Sequence, residues 1–195
     1  MKQFMDGLIL FLKDNPDDGL AEDAAHVLAS LPAHVLNSRS TVALVLEAGF
    51  PDALVALIHP KNGMNLRMVA VQALGAVIQN GEIARSMCSG DAVPSILSML
   101  ASSGDAKAIK DSLADMLSML INSEPDSVAQ AIVDSEGINV IRQVLSDHHP
   151  GKAQLAMLSI LADISRGERG LRHKLSESIS AVVPTARAYL KVLGY

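Results

Sequence analysis

At 195 residues, with 49% hydrophobic and 19% charged residues, the chain is too apolar for a disordered segment and long enough to bury a sizeable core. Aromatics make up only 3%, with no Trp, so Ala, Leu, Ile, Val and nine Met must fill that core, a palette that favours helices over strands. A formal net charge of −5 argues against duplex nucleic acid as a partner, and the lone Cys88 excludes an intramolecular disulfide.

In chain order, the first amphipathic helix ends at Leu12, its apolar run 8–12 being too short for a signal core or a membrane span. The turn residues Asn15-Pro16-Asp17-Asp18-Gly19 follow, then a helix carrying Val27-Leu28-x-x-Leu31. A short helix over 40–47 stops at Ala48-Gly49. Pro51 then opens a longer helix to Ile58, and a turn over 59–63 leads to a helix bearing Ala73-Leu74-x-x-Val77. The same order returns twice. Residues 82–88 form the short helix, with Ser89-Gly90, Pro94, Leu100 and Met116-Leu117-x-x-Leu120 after it. Residues 127–133 form the next, with Glu136-Gly137, Leu145 and Ile160-Leu161-x-x-Ile164. A last short helix over 171–177 precedes one that Pro184 opens and that ends at Leu190. Gly49, Gly90 and Gly137 are expected to supply the positive φ of the sharp turns.

Two ladders run through this order. Leu28, Leu74, Leu117 and Leu161 lie 46, 43 and 44 residues apart, while Leu12, Ile58, Leu100, Leu145 and Leu190 lie 46, 42, 45 and 45 apart. Two interleaved periods of this length predict a helical solenoid, in which no unit buries its own apolar face and neighbours must stack.

The unit resembles an armadillo repeat. The stretch that carries the resemblance is Glu47-Ala48-Gly49-Phe50-Pro51-Asp52-Ala53-Leu54-Val55-Ala56-Leu57-Ile58, followed by Val69-Ala70-Val71-Gln72-Ala73-Leu74-Gly75-Ala76-Val77. Pro51 sits one place early relative to Pro94, a departure from strict repetition. The resemblance implies an all-α right-handed superhelix of about four repeats, closed by a C-terminal capping helix pair. As one domain over 1–195 it comprises a partial repeat 1–37, full repeats 38–81, 82–124 and 125–167, and a cap at 168–195. The first unit starts midway, so its outer face is expected to be covered by a partner or by a longer solenoid.

In armadillo proteins the third helix of each unit lines a concave, ligand-binding face. That implies a partner-binding stripe of Met68, Gln72, Gln79, Asp111, Asp115, Met119, Asn122, Ser159, Asp163 and Arg166, with Leu155 and Ala76 in the same register. Importin-like members hold basic peptides with Trp and Asn ladders; here Trp is absent, which argues against that cargo. The expected function is a non-enzymatic protein-interaction scaffold binding a peptide or folded domain. A co-chaperone that embraces a chaperone lobe to exchange its nucleotide is the alternative within binding. A solenoid that dimerises through an exposed end repeat is the structural alternative.

Chemistry has little purchase on the sequence. His148-His149 are adjacent rather than i, i+4, and His26, His34, His59 and His173 fall in different units, so no metal site is expected. No phosphate-binding glycine loop or nucleophile elbow occurs, so neither cofactor nor catalytic residue is assigned. The expected compartment is the cytoplasm, with nuclear residence open.

Overall fold

A computed structural model describes residues 38–59, 61–102, 107–146, 151–166 and 182–188, with the isolated positions 7, 23, 26, 27, 180, 190 and 191. Every regular element among the described residues is α-helical. The helix pair expected before residue 38, most of the turn over 147–151 and the short helix over 171–177 lie outside these residues. The chain divides into two units, Met1–Ser95 and Ile96–Tyr195.

In the first unit, α1 (Arg39–Glu47), α2 (Phe50–Leu57), α3 (Met64–Val77) and α4 (Gly81–Cys88) follow the sequence pattern within two residues at each start. Pro51 occupies the first turn of α2, where a missing N–H costs no helical hydrogen bond. The end of α2 is closed by a buried side chain: Asn62 Nδ2 donates to the carbonyls of Leu57 at 2.8 Å and Ala56 at 3.2 Å. The Leu57 carbonyl lies past the last intrahelical donor and the amide satisfies it, while the Ala56 carbonyl also accepts from His59 N at 3.4 Å. Asn80 does the converse for α4, its side chain accepting from the N–H groups of Glu82 at 3.0 Å and Ile83 at 3.3 Å. The core joins Val42 and Val45 of α1, Phe50, Leu54 and Leu57 of α2, Val69, Leu74 and Val77 of α3, and Ile83 and Met87 of α4. Here α2 packs on α3, and the two short helices α1 and α4 pack on each other.

The second unit holds most of α5 (Ala92–Ser102), then α6 (Lys107–Ser123), α7 (Pro125–Asp134), α8 (Gly137–Ser146), α9 (Lys152–Arg166) and a helical stretch over 182–188. Pro125 opens α7, an N-terminal proline that the sequence reading overlooked. The most extensive helix pairing described in the molecule is α6 with α9. Their N-terminal ends lie together: Asp111 Oδ1 accepts from Ala153 N at 2.9 Å, and a Cβ on Gly151 would stand 3.0 Å from Lys107 Cε. Long contact from a shared end requires the two helices to run parallel. The apolar phrase itself is buried at Ala73, Leu74 and Val77, and again at Met116, Leu117 and Leu120. Its fourth copy departs: Ile160 and Ile164 are buried, but Leu161 is only half-buried.

The three glycine turns do not behave alike, and here the expectation needs correction. Gly49 takes φ 69°, as anticipated. Gly90 does not lie in the left-handed region, and in the third turn that conformation falls on Glu136, at φ 57°. Gly137 is instead the first residue of α8, buried against its neighbours. A Cβ there would stand 2.6 Å from Leu97 Cδ1 and 2.9 Å from the Ile132 carbonyl oxygen. The reason lies in the second ladder: nine residues before Ile58, Leu100 and Leu145 are Gly49, Asp91 and Glu136. Gly90 and Gly137 are each one place out of that register. Gly137 is glycine because the backbone of α7 and a side chain of α5 come too close for anything larger.

Candidate functional site

The candidate stripe is a product of helical period. Along α3 the buried set Val69, Ala70, Ala73, Leu74 and Val77 leaves Met68 and Gln72 facing solvent. Gln79 does not share that face. The helix ends at Val77, with Ile78 as its C-cap, so Gln79 is an exposed turn residue rather than a further rung. Met64, one turn ahead of Met68, extends the stripe instead; the two are 46% and 39% exposed. A spacing of four from Met68 was the signal for it.

In the second unit, α6 and α9 bring seven of the ten candidate residues onto one pair of adjacent helices. Asp115 and Asn122 are exposed and Met119 is half-buried on α6; Ser159 and Arg166 are exposed and Asp163 is half-buried on α9. Leu155 adds an apolar side chain 53% exposed. These residues do not all remain available. Asp111 is committed to the first turn of α9, where its carboxylate meets the positive end of the helix dipole and an N–H otherwise without an intrahelical partner. Asp163 accepts from Arg166 Nη1 at 2.8 Å in an i, i+3 ion pair on the surface. Such exposed pairs contribute at most about 1 kcal/mol, and this one yields readily to a competing ligand charge. Asp115 makes no hydrogen bond or ion pair with another described residue.

The sequence reading also missed a buried cation. Arg67, at the start of α3, is 6% exposed, and neither its Nε nor its Nη2 has a hydrogen-bond partner among the described residues. A guanidinium is rarely buried without an anion or carbonyl to receive its protons. Its helical position marks it as core-facing, but nothing local announces the missing partner.

Compared with known proteins, the chain matches no family model and no curated protein. The armadillo resemblance therefore stands on the residues quoted above. Other chemistry is sparse among the described residues. No three His, Cys, Asp or Glu side chains converge as a metal site, and Cys88 is buried. A surface depression of about 490 Å³ lies between Asp52, Val55, His59, Lys61, Asp91 and Ser95, and none of the ten candidate residues lines it. No single described helix is long and apolar enough to cross a membrane; α1 and α2 reach that length only together, across a 57° bend.

Proposed function

We propose that this protein is a non-enzymatic interaction scaffold, built as an armadillo-like stack, that holds a polypeptide against the solvent faces of its third helices. The observation that supports this reading most directly is the repetition of one pattern on α3, α6 and α9. Each turns the apolar phrase inward, Leu161 of α9 only half-buried, and presents small, polar, acidic or methionine side chains on the other side: Met68 and Gln72, Asp115 and Asn122, Ser159 and Arg166. The parallel contact of α6 with α9 gives that face width within one unit. Its chemistry suits a polypeptide. Methionines adapt to varied apolar side chains, and Asp115 offers a carboxylate to a basic or polar group.

The experiment is a comparison of partners. Protein purified with its partners from the source cell is matched against Asp115→Lys and Asp163→Lys variants of equal melting temperature. Loss of the same partner from both variants, with a photo-crosslinker at Ser159 labelling that partner in the wild type, is the expected result. An unchanged partner set, or no crosslink, removes the reading.

A further inference from the structure

We propose that the depression between α2 and the start of α5 is a second polypeptide-binding site, suited to a segment with a basic side chain at one end and an acidic one at the other. It holds about 490 Å³, within the size range of ligand sites, and all of its lining belongs to the first unit. Asp52, Val55 and Ala56 lie on one face of α2 at spacings of three and four, with His59 and Lys61 in the turn beyond the helix end. The facing wall is the Gly90-Asp91 junction and the first turn of α5, Ala92 to Ser95. The two helix starts come close here, since a Cβ on Gly90 would stand 3.9 Å from Asp52 Oδ1.

Charge is sorted along this trough. Asp52 and Asp91 stand at the helix starts, and His59 and Lys61 at the far end, on the order of 10 Å away by helical rise. Each sign sits where the helix dipole favours it, so the separation needs no ion pair to hold it. Asp52, Asp91 and Lys61 make no side-chain hydrogen bond or ion pair with another described residue. His59 Nδ1 accepts the Lys61 N–H at 3.3 Å, so its ring hydrogen is on Nε2, a donor at the same end as the Lys61 ammonium. Between the ends the floor is small and apolar, formed by Val55, Ala56 and the buried Ala92. A ligand of one charge sign satisfies one end and is repelled by the other. A chain in the polyproline II form repeats every three residues and about 9 Å, so residues i and i+3 present side chains on one side at this separation. One basic and one acidic residue three places apart therefore meet both ends at once, with the apolar residues between them on the floor. None of the third-helix candidate residues lines this trough, so the site stands whether or not that face binds.

The probe is the capped tetrapeptide acetyl-Lys-Pro-Pro-Glu-amide, with acetyl-Lys-Pro-Pro-Lys-amide and acetyl-Glu-Pro-Pro-Glu-amide as controls. Each is titrated into the ¹⁵N-labelled full chain and followed by backbone amide chemical shifts. The mixed peptide should give saturable shifts at Asp52, Val55, Ala56 and Ser95, and should bind about fivefold more tightly than either control. Lys61→Glu, at an exposed turn position, should transfer the preference to the peptide with two lysines. The proposal is overturned if the mixed peptide gives no saturable shift, or if its shifts map away from α2 and the start of α5. It is equally overturned if the three peptides bind alike, or if Lys61→Glu leaves their order unchanged. Shifts at the same amides that follow protein concentration without peptide would assign the trough to a second copy of this chain, and would overturn it too.

Discussion

Two turns that each carry a glycine, Glu47-Ala48-Gly49 and Ser135-Glu136-Gly137, join helices of similar length and solve the problem differently. In the first, glycine itself is the left-handed residue, and nothing within 4 Å would oppose a Cβ there. In the second, glutamate takes the left-handed conformation, and the glycine after it makes room for Leu97 and for the backbone of α7. At Gly49 the constraint is torsional. At Gly137 it is steric, imposed by packing between helices. A letter that recurs in a repeat need not keep its job.

The comparison assumes that both turns belong to one repeating unit, and the largest expected effect tests that assumption. Leu74 and Leu117 occupy the same ladder position and are fully buried in their respective units. Leu74→Ala and Leu117→Ala should each cost about 2–5 kcal/mol, the loss of a buried leucine plus the cavity left behind. Chemical denaturation reads the cost. A small effect at either position breaks the register and, with it, the equivalence of the turns.

Next come the glycines. Gly137→Ala should cost about 3 kcal/mol, because the new methyl meets a carbonyl oxygen that α7 holds in place. Gly49→Ala should cost about 1 kcal/mol, the strain of a left-handed alanine less the chain entropy it saves. Asparagine separates the two causes. It tolerates the left-handed region, so Gly49→Asn should be milder than Gly49→Ala, whereas the bulkier Gly137→Asn should be worse than Gly137→Ala. If Asn and Ala rank alike at both sites, the distinction between torsional and steric glycine fails.

Much of this fold was legible in the sequence because helical period and turn chemistry are local. The short helices expected over 40–47, 82–88 and 127–133 appear as Arg39–Glu47, Gly81–Cys88 and Pro125–Asp134. The solvent face of each third helix also followed from period alone. What escaped was set by distance. Asp111 looked like a ligand-facing acid, and its commitment to Ala153 becomes visible only when helices 42 residues apart are side by side. Arg67 is one more charged residue in a helical pattern, and only packing shows it buried, its Nε and Nη2 without a hydrogen-bond partner among the described residues. Gln79 missed its face because a helix end, not a period, decided its place. The glycine error was of another kind. The second ladder sets Glu136, not Gly137, in register with Gly49, and Glu136 is the residue that takes the positive φ.

The smallest expected effect bears on that last point and has the opposite sign. Glu136 holds φ 57° with an exposed side chain, for which no hydrogen bond or ion pair with another described residue is found. A non-glycine residue in this region costs about 1–2 kcal/mol, and glycine gives back about 0.5–1 kcal/mol of that gain through its freer unfolded chain. Glu136→Gly should therefore stabilise the protein by about 0.5–1 kcal/mol, raising Tm by about 1–3 °C. The same substitution at Asp91, the third ladder position, relieves no positive φ. There glycine only loosens the unfolded chain, so Asp91→Gly should lower Tm. Opposite signs at two positions in one register would show that the left-handed turn is a property of particular junctions, those where one helix must turn onto the next within two residues. At the Cys88 to Ala92 junction the chain has three residues for the reversal and needs no left-handed residue. Equal signs would mean that loop length does not decide which junctions carry the strain.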